Sequence, residues 1–277
     1  MRPIDAPDAS RLAGTEDASA PFWSPDGTAL GFFASEELRV VDASGGTPRV
    51  LCRQVPGEGG GSWGTAGVIV FTSNGVLNRV PAAGGDCERG LKDQPTGSLL
   101  TRPSFLPDGR SIVFVLRGDG ASRSEVIALS LLDRKTQPLF AAPREISFLH
   151  VSPDGKHIVY VSDETGTPEI YVRSLPGPGS AVRVSAAGGT SPIWRSDGKA
   201  LFYVAPNAET MEVDVRLGEG LVLSSPRVAV RAIPGYEQLW GMSSNGDRFL
   251  RFASDAFGGF TLMLGWPSRL ERKGAEQ

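Results

Sequence analysis

The sequence predicts an all-β fold, a six-bladed β-propeller of four-stranded antiparallel blades, and three observations lead to it. A Pro-Asp-Gly turn recurs about every 45 residues, which marks an array of repeated units. Each turn joins a short apolar strand to a β-branched or aromatic run such as residues 158–161. No stretch long enough for a helix shows the apolar period of 3.6 residues that a helix requires.

The turn itself has a clear local chemistry. Proline presets φ at the first turn position, aspartate hydrogen-bonds locally and glycine takes the left-handed conformation, so we expect a three-residue hairpin loop ending in glycine. The aspartates should serve their own hairpins rather than a calcium site, which needs six to eight oxygens at one point. The aspartates are Asp26, Asp108, Asp154 and Asp197, and worn copies of the turn lie at 63–67 and 244–247.

Each repeat contains four predicted strands in one order. A short inner strand precedes the turn, a continuously apolar strand follows it, and an alternating strand and a weak outer strand complete the unit. At about 44 residues a repeat, 277 residues hold slightly more than six units in a single domain, 1–277. The predicted blades are about 20–61, 62–101, 102–145, 146–190, 191–237, and 238–270 plus 2–12.

The two ends of the chain bear on how the ring closes. Residues 2–12 resemble the end of a third strand followed by an outer strand, as at 172–184, and the last repeat lacks an outer strand. We therefore expect the N-terminal segment to supply that strand and close the ring, which would remove exposed sheet edges. The alternative is a seven-bladed propeller truncated at its N-terminus, with this chain beginning inside a blade.

Composition excludes some partners and leaves others open. With 28 basic and 31 acidic residues the net charge is −3, and no dense run of Lys and Arg suggests nucleic-acid binding. Apolar runs last about five residues, far short of the roughly 18 that a membrane helix needs. Residues 1–20 do not show the pattern of a secretory signal. Cys52 and Cys87 are expected to be two free thiols near the outer edges of neighbouring repeats.

A glycine-rich segment matches two catalytic patterns. Gly59, Gly61 and Gly64 satisfy GxGxxG, and Ser62 stands at the centre of a GxSxG match. Both motifs require a strand before them and a helix after them, whereas here Pro56 precedes and a strand at 68–71 follows. We therefore interpret this segment as a loop between blades.

The histidines and tryptophans receive structural interpretations. His150 and His157 flank one hairpin, and with a turn bracketed by Ser152 and Lys156 they would point to opposite faces of the blade. A shared metal is therefore not expected. Four of the five tryptophans recur beside the turns, and blade packing is favoured over a ligand cage for these four, Trp23, Trp63, Trp194 and Trp240.

Loops on a rigid scaffold usually carry binding residues. In a propeller these are the outer-to-inner crossings and the loops between second and third strands, here including 117–124 and 162–168. No catalytic, cofactor or metal residue is predicted. The candidate binding-face residues, mixed in charge, are Arg102, Arg123, Arg144, Glu145, Asp163 and Glu237.

Residues 22–27, 167–173 and 189–198 resemble TolB-like, WD-repeat-like bacterial propellers, above all those fused behind membrane-bound serine/threonine kinases. The resemblance covers essentially the whole chain. It implies a sensory or interaction module outside the membrane, periplasmic in location, with a kinase in a longer natural protein. The chain itself carries no His-Arg-Asp or Asp-Phe-Gly motif, so phosphoryl transfer is not implied.

The sequence therefore predicts a non-catalytic propeller, not an enzyme, that needs no cofactor. It would bind a protein, peptide or small ligand on one face and act in bacterial signalling. Two alternatives remain open: the propeller domain of a serine peptidase or hydrolase, and a periplasmic TolB-like scaffold subunit.

Overall fold

The computed structural model describes residues 9–15, 17–56, 59–89, 98–118, 123–176, 179–217, 220–232, 238–242, 248–252 and 260–264. All regular structure in these ranges is β-strand, and they include no helix long and apolar enough to cross a membrane. In chain order the strands are β1 (Ala9–Arg11), β2 (Ser19–Trp23), β3 (Ala29–Ala34), β4 (Glu37–Asp42), β5 (Arg49–Arg53), β6 (Gly61–Trp63), β7 (Val68–Ser73), β8 (Val76–Pro81), β9 (Ser98–Phe105), β10 (Ser111–Gly118), β11 (Ser124–Ser130), β12 (Thr136–Ala142), β13 (Ile146–Val151), β14 (His157–Ser162), β15 (Glu169–Ser174), β16 (Val182–Arg183), β17 (Thr190–Trp194), β18 (Ala200–Val204), β19 (Thr210–Leu217), β20 (Leu221–Leu223), β21 (Arg227–Val230), β22 (Gln238–Met242), β23 (Arg248–Phe252) and β24 (Phe260–Leu264).

Within the described ranges these strands form six antiparallel sheets, most of them four-stranded meanders. The predicted all-β class and the antiparallel four-stranded unit are therefore confirmed. We name the sheets by their strands: sheet I (β2–β5), sheet II (β6–β8), sheet III (β9–β12), sheet IV (β13–β16), sheet V (β17–β21) and sheet VI (β22–β24 with β1).

Sheet VI contains strands from both ends of the described chain. β1 pairs antiparallel with β24, and Ala9 lies opposite Met263. The inner strands β2, β6, β9, β13, β17 and β22 also contact one another in succession, and β22 contacts β2. The inner strands of neighbouring sheets thus pack side by side.

The hydrophobic core lies between neighbouring sheets. The second strands of sheets I to V are largely apolar on both faces because they are covered from both sides, and Ile112, Val113, Phe114 and Val115 of β10 are fully buried. In one such layer, the rings of Phe33 from sheet I and Phe71 from sheet II lie 5.9 Å apart. Aromatic packing of this kind explains the continuous apolar runs seen in the sequence.

The Pro-Asp-Gly hairpins are one residue longer than predicted. The Gly155 amide donates to the Ser152 carbonyl (2.9 Å), and the Ser152 amide donates to the His157 carbonyl (2.8 Å), so residues 153–156 lie between the paired positions. Gly155 has φ 72°, the left-handed conformation that glycine adopts without strain. The additional residue, Lys156, is accommodated because its amide donates to the Asp154 carboxylate (3.0 Å).

Each turn aspartate is bound within its own hairpin. Asp26 accepts from the Ser24 hydroxyl (2.6 Å) and the Thr28 amide (3.0 Å), and these hydrogen bonds hold the pKa of its carboxyl below the ordinary value. Asp108 accepts from the Arg110 amide and Asp197 from the Lys199 amide, both at 2.8 Å. The interpretation of these aspartates as turn residues is confirmed.

The prediction of two free cysteines is wrong. Cys52 on β5 and Cys87, which follows β8, form a disulfide with their Cα atoms 5.9 Å apart. The sequence could not reveal this pairing because the cysteines belong to different repeats, and only the side-by-side packing of sheets I and II brings them together. The link joins the outer parts of these two sheets.

Sheet II departs from the four-stranded unit in the same region. It has three strands, and the position of an outer strand is taken by an isolated bridge between Arg79 and Glu88. The side chains of these two residues also pair, with Arg79 Nε 2.6 Å from the Glu88 carboxylate. Cys87 is adjacent to this bridge, so the disulfide anchors the segment that replaces the strand.

Candidate functional site

A cavity of about 530 Å³, called the central cavity below, lies between the innermost strands. Residues from all six inner strands, β2, β6, β9, β13, β17 and β22, line it. Its volume falls within the range of about 300 to 1,000 Å³ that is usual for small-ligand sites. The hairpin turns contribute to its rim through Pro25, Pro107, Pro153 and Ser196.

The last strand residue before each turn forms one layer of the wall. Each of these side chains packs back onto the preceding sheet: Trp23 joins a cluster with Leu250 of sheet VI, and Trp63 joins one with residues of sheet I. The ring of Trp194 lies 6.4 Å from that of His157 in sheet IV. The described members of this layer that line the cavity are Trp23, Trp63, Phe105, Val151 and Trp194.

The tryptophans therefore have two roles at once. Packing between sheets, as predicted, is confirmed for Trp23, Trp63 and Trp194, and the same three side chains line the cavity. The side chain of Trp240 lies outside the described part of the chain. Trp23 and Trp63 are half-buried, so their rings remain partly accessible.

The residues one position earlier form a second layer of the wall. Here the Ser62 hydroxyl oxygen accepts the Phe105 amide (3.1 Å), and Gly241 leaves room for the indole of Trp23, to which a Cβ would come within 3.0 Å. Sheets II and III, and VI and I, are thereby joined at the cavity wall. The members of this layer are Phe22, Ser62, Ser104, His150, Ile193 and Gly241.

A β-bulge interrupts several inner strands at the same position. In β2, Ser19 pairs with Phe33 and Phe22 with Gly31, so two residues oppose one. Three non-glycine residues at this point have left-handed φ values: Ala20 (45°), Phe148 (50°) and Ser191 (52°). Such strain is characteristic of functional sites, and Ala20 and Phe148 line the cavity.

The glycine-rich segment is part of this wall rather than a loop. Gly61–Trp63 forms β6, so the predicted loop is wrong at these positions. Glycine is required because neighbouring rings occupy the space: a Cβ at Gly61 would overlap the Phe22 ring, and one at Gly64 would lie 2.8 Å from Phe105 Cζ. Gly61, which belongs to the GxGxxG match, and Gly64, which belongs to both matches, are thus required by packing and not by catalysis.

The prediction for the two histidines is also wrong in register. His150 pairs with Val159 and Val151 with Ile158, one residue away from the predicted pairing. Since His157 and Val159 share a face of β14, both histidines lie on the same face. The longer turn is the reason, because Ser152 rather than Val151 lies opposite His157. His157 Nδ1 is 3.8 Å from the Asp154 carboxylate.

The charges next to the cavity rim bind each other. Ser196 lines the cavity, and the Nε of its neighbour Arg195 donates to Asp197 (2.8 Å). Burial acts to raise the pKa of Asp197, but the hydrogen bonds from Arg195 and the Lys199 amide and the positive charges of these two residues together outweigh it, so the pKa is lowered. Arg195 also approaches Glu212, which pairs with Arg227 at 3.0 Å. These side chains form an ion-pair network on sheet V.

The four predicted binding-face residues with described side chains do not line this cavity. Arg123, Arg144, Glu145 and Asp163 are exposed, and Glu145 pairs with Arg117. Arg102 lies in β9, with its side chain outside the described part of the chain, and Glu237 is also outside it. A binding role for these six residues stays a prediction.

Sequence reasoning missed the cavity because its wall comes from six separate segments. The available signal was the aromatic residue before most turns, for which the sequence interpretation favoured packing over a ligand cage.

No protein-family model matches the chain. Solved structures do resemble it. TolB from Acinetobacter baumannii has a TM-score of 0.59 at 19% identity, over 92% of this chain and 65% of TolB. A luciferin-regenerating enzyme has a TM-score of 0.64 at 12% identity, over 94% of this chain and 96% of the enzyme. An oligogalacturonate lyase in complex with manganese has a TM-score of 0.60 at 12% identity, over 96% of this chain and 97% of the lyase.

These similarities define the class of protein: the chain has a β-propeller fold of the kind found in TolB. At such low identity they show the fold alone. They also overturn the prediction that the chain is not an enzyme, since a lyase and a luciferin-regenerating enzyme share the fold. The prediction was wrong because it relied on contiguous motifs, whereas a site at the centre of a propeller is assembled from several strands.

Proposed function

We propose that this protein is a ligand-binding β-propeller whose ligand occupies the central cavity. The observation that carries the proposal is a cavity of about 530 Å³ with accessible aromatic rings in its wall. The strained bulges at Ala20 and Phe148 support it, because such strain is retained where function requires a particular backbone path. The same fold occurs in a lyase and a luciferin-regenerating enzyme, which is compatible with chemical transformation of the bound ligand.

We further propose that the domain, 1–277, is a six-bladed ring closed by the N-terminal segment, with the blades given above. The pairing of β1 with β24 and the succession of contacts from β2 through β22 and back to β2 support this arrangement. A closed ring would hold the six inner strands at fixed distances and keep the cavity preformed, which limits the entropy lost on binding.

The place of this propeller in a larger system is proposed on two grounds. The resemblance of its motifs to kinase-linked bacterial propellers supports a sensory module of a signalling protein. The Cys52–Cys87 disulfide supports an oxidising compartment such as the periplasm, because cytosolic thiols are kept reduced.

The test of the cavity is a ligand screen by thermal shift with three variants. Ser104→Phe adds a ring to a small residue of the wall, and Val222→Phe adds the same ring at an exposed position of β20. Arg144→Glu reverses a charge on the binding face that was predicted from the sequence. Compounds that raise the Tm of the wild type should fail with Ser104→Phe and act normally on the other two. If the ligand-induced rise in Tm is lost only in Arg144→Glu, binding in the cavity is contradicted and binding at the face that carries Arg144 is favoured.

A further inference from the structure

We infer that the ligand of the central cavity is an uncharged aromatic molecule that carries hydroxyl groups, and that the cavity discriminates against its charged analogues. This inference rests on the proposed function and names the ligand class for the same site. Three features of the wall support it: its aromatic rings, its strand edges and the way its neighbouring charges are bound.

The first feature is the aromatic wall. Trp23, Trp63, Phe105 and Phe148 come from four different inner strands, line the cavity, and are only partly buried. Aromatic rings prefer offset-stacked or edge-to-face contacts with other rings, worth about 0.5 to 1.5 kcal/mol beyond burial of area. A flat aromatic ligand can make such contacts with more than one of these rings.

The second feature is the backbone of the inner strands. Each described inner strand pairs with one neighbouring strand, so its other edge is not part of a β-ladder. Some peptide groups at these edges bond to side chains of the next sheet: the Phe105 amide donates to the Ser62 hydroxyl oxygen, and the His150 carbonyl accepts from Trp194 Nε1. Pro21 of β2 and Pro103 of β9 line the cavity and lack an amide hydrogen. Each of these two positions has a carbonyl acceptor and no amide donor, which favours a ligand that donates from hydroxyl groups.

The third feature is that the described wall carries no Asp, Glu, Lys or Arg side chain, and that the charged residues beside it are paired with other groups. Every described lining residue is apolar, glycine, proline, serine, threonine or histidine. The charged residues beside them are bound elsewhere: Asp26 accepts hydrogen bonds in its own turn, and Arg195 is paired with Asp197. A charged ligand would lose its hydration without gaining a counter-charge from these residues, which is strongly unfavourable.

The inference is tested with three probes that share one ring system. They are 2-naphthylmethanol, 2-naphthoate and 2-naphthylmethylammonium, which are neutral, anionic and cationic at neutral pH, and methyl β-glucoside serves as a neutral non-aromatic comparison. Isothermal titration of the full chain should give tighter binding of the neutral aromatic alcohol by at least about tenfold over both ions, equivalent to 1.4 kcal/mol. The glucoside should bind more weakly than the alcohol.

Two wall variants assign the binding to the cavity. Trp63→Ala removes one ring, and Ser104→Phe fills space, so each should weaken the alcohol at least about fivefold, while exposed Val222→Phe should not. Circular dichroism checks that each variant is folded, and either folded variant suffices.

The outcomes separate the ligand class from the function. If an ion or the glucoside binds as tightly as the alcohol, and Ser104→Phe or Trp63→Ala abolishes that binding, the inferred class is overturned and the cavity function stands. If no probe binds, or if binding is the same in both wall variants, the inference and the proposed cavity site are both overturned.

Discussion

Sheets II and IV have the same meander but are stabilised by different means. Sheet IV has four strands and a full Pro-Asp-Gly turn, in which Asp154 accepts from the Ser152 hydroxyl (2.5 Å) and the Lys156 amide (3.0 Å). Sheet II has three strands, a turn without aspartate, and a disulfide to sheet I. The repeated unit thus tolerates loss of the turn aspartate and of the fourth strand where a disulfide to the neighbouring sheet is present.

The two turns explain when aspartate is needed. In sheet II the Gly67 amide donates to the Gly64 carbonyl (3.0 Å) and the Gly64 amide to the Val68 carbonyl (2.8 Å), the same two bonds as in sheet IV. Only three residues lie between the paired positions, so the predicted three-residue loop is found here. The additional residue in sheet IV has an amide without a strand partner, and the Asp154 carboxylate accepts it. Aspartate therefore compensates for loop length.

The largest expected effect is loss of the disulfide. In the chain-entropy account a loop of this length is worth about 3 to 4 kcal/mol, and the link also holds the segment that replaces the outer strand of sheet II. Unfolding in urea should show that loss in the double variant Cys52→Ser, Cys87→Ser. Dithiothreitol should destabilise the wild type similarly and leave the variant unchanged; equal stability of reduced and oxidised wild type would contradict the prediction.

The next effect tests the packing of the inner strand of sheet II. Gly61→Ala should lower the free energy of unfolding by about 1 to 3 kcal/mol, because the new methyl group overlaps the Phe22 ring. Gly220→Ala is the matched control, since no atom lies within 4 Å of a Cβ placed there, and it should change stability little. A Gly61→Ala variant as stable as this control would show that the two sheets are not tightly packed.

A smaller effect is expected at the turn of sheet IV. Asp154→Ala removes acceptors from the Ser152 hydroxyl and the Lys156 amide and should cost about 1 kcal/mol. The reciprocal change in sheet II, Ala66→Asp, should bring no comparable gain because that turn lacks the additional amide. A gain equal to the loss in sheet IV would contradict the link between aspartate and loop length. Both variants are compared by urea unfolding.

The smallest effect is a dependence on pH. Burial acts to raise the pKa of Asp154, but the hydrogen bonds from Ser152 and Lys156 leave it below its ordinary value. A lowered folded-state pKa means that this stabilisation is present above the unfolded value of about 3.9 and is lost as pH falls through the folded value. Asp154→Asn should therefore lose less stability than the wild type between pH 5 and lower pH. Parallel acid titrations of the two proteins, followed by circular dichroism, measure this difference, and an equal loss of stability in both would contradict the prediction.

Much of the fold could be predicted from sequence because its signals are local. Turns such as 153–155 and the apolar strand that follows each of them lie within a few residues of one another, so strand order and direction could be inferred. The details of register could not. One additional residue in the turn placed His150 opposite Val159 and reversed the predicted relation of the two histidines.

The candidate site was less accessible to sequence reasoning. Trp63 and Phe105 could be recognised as residues beside turns, but their approach to a common cavity depends on how separate sheets pack against one another. Charged loop residues such as Arg144 were predicted to bind ligand because a charged residue can be identified directly in a sequence. The aromatic residues of a cavity wall cannot be distinguished in a sequence from those of a hydrophobic core.

The sequence alone determined the repeat, the antiparallel strands and the turn chemistry, because each depends on residues close together in the chain. Only the tertiary structure decided the Cys52–Cys87 link, the role of Gly61 and the cavity wall. Those features depend on distances between residues of different repeats. Such distances follow from how the sheets pack side by side, and they cannot be inferred from the spacing of the repeats along the chain.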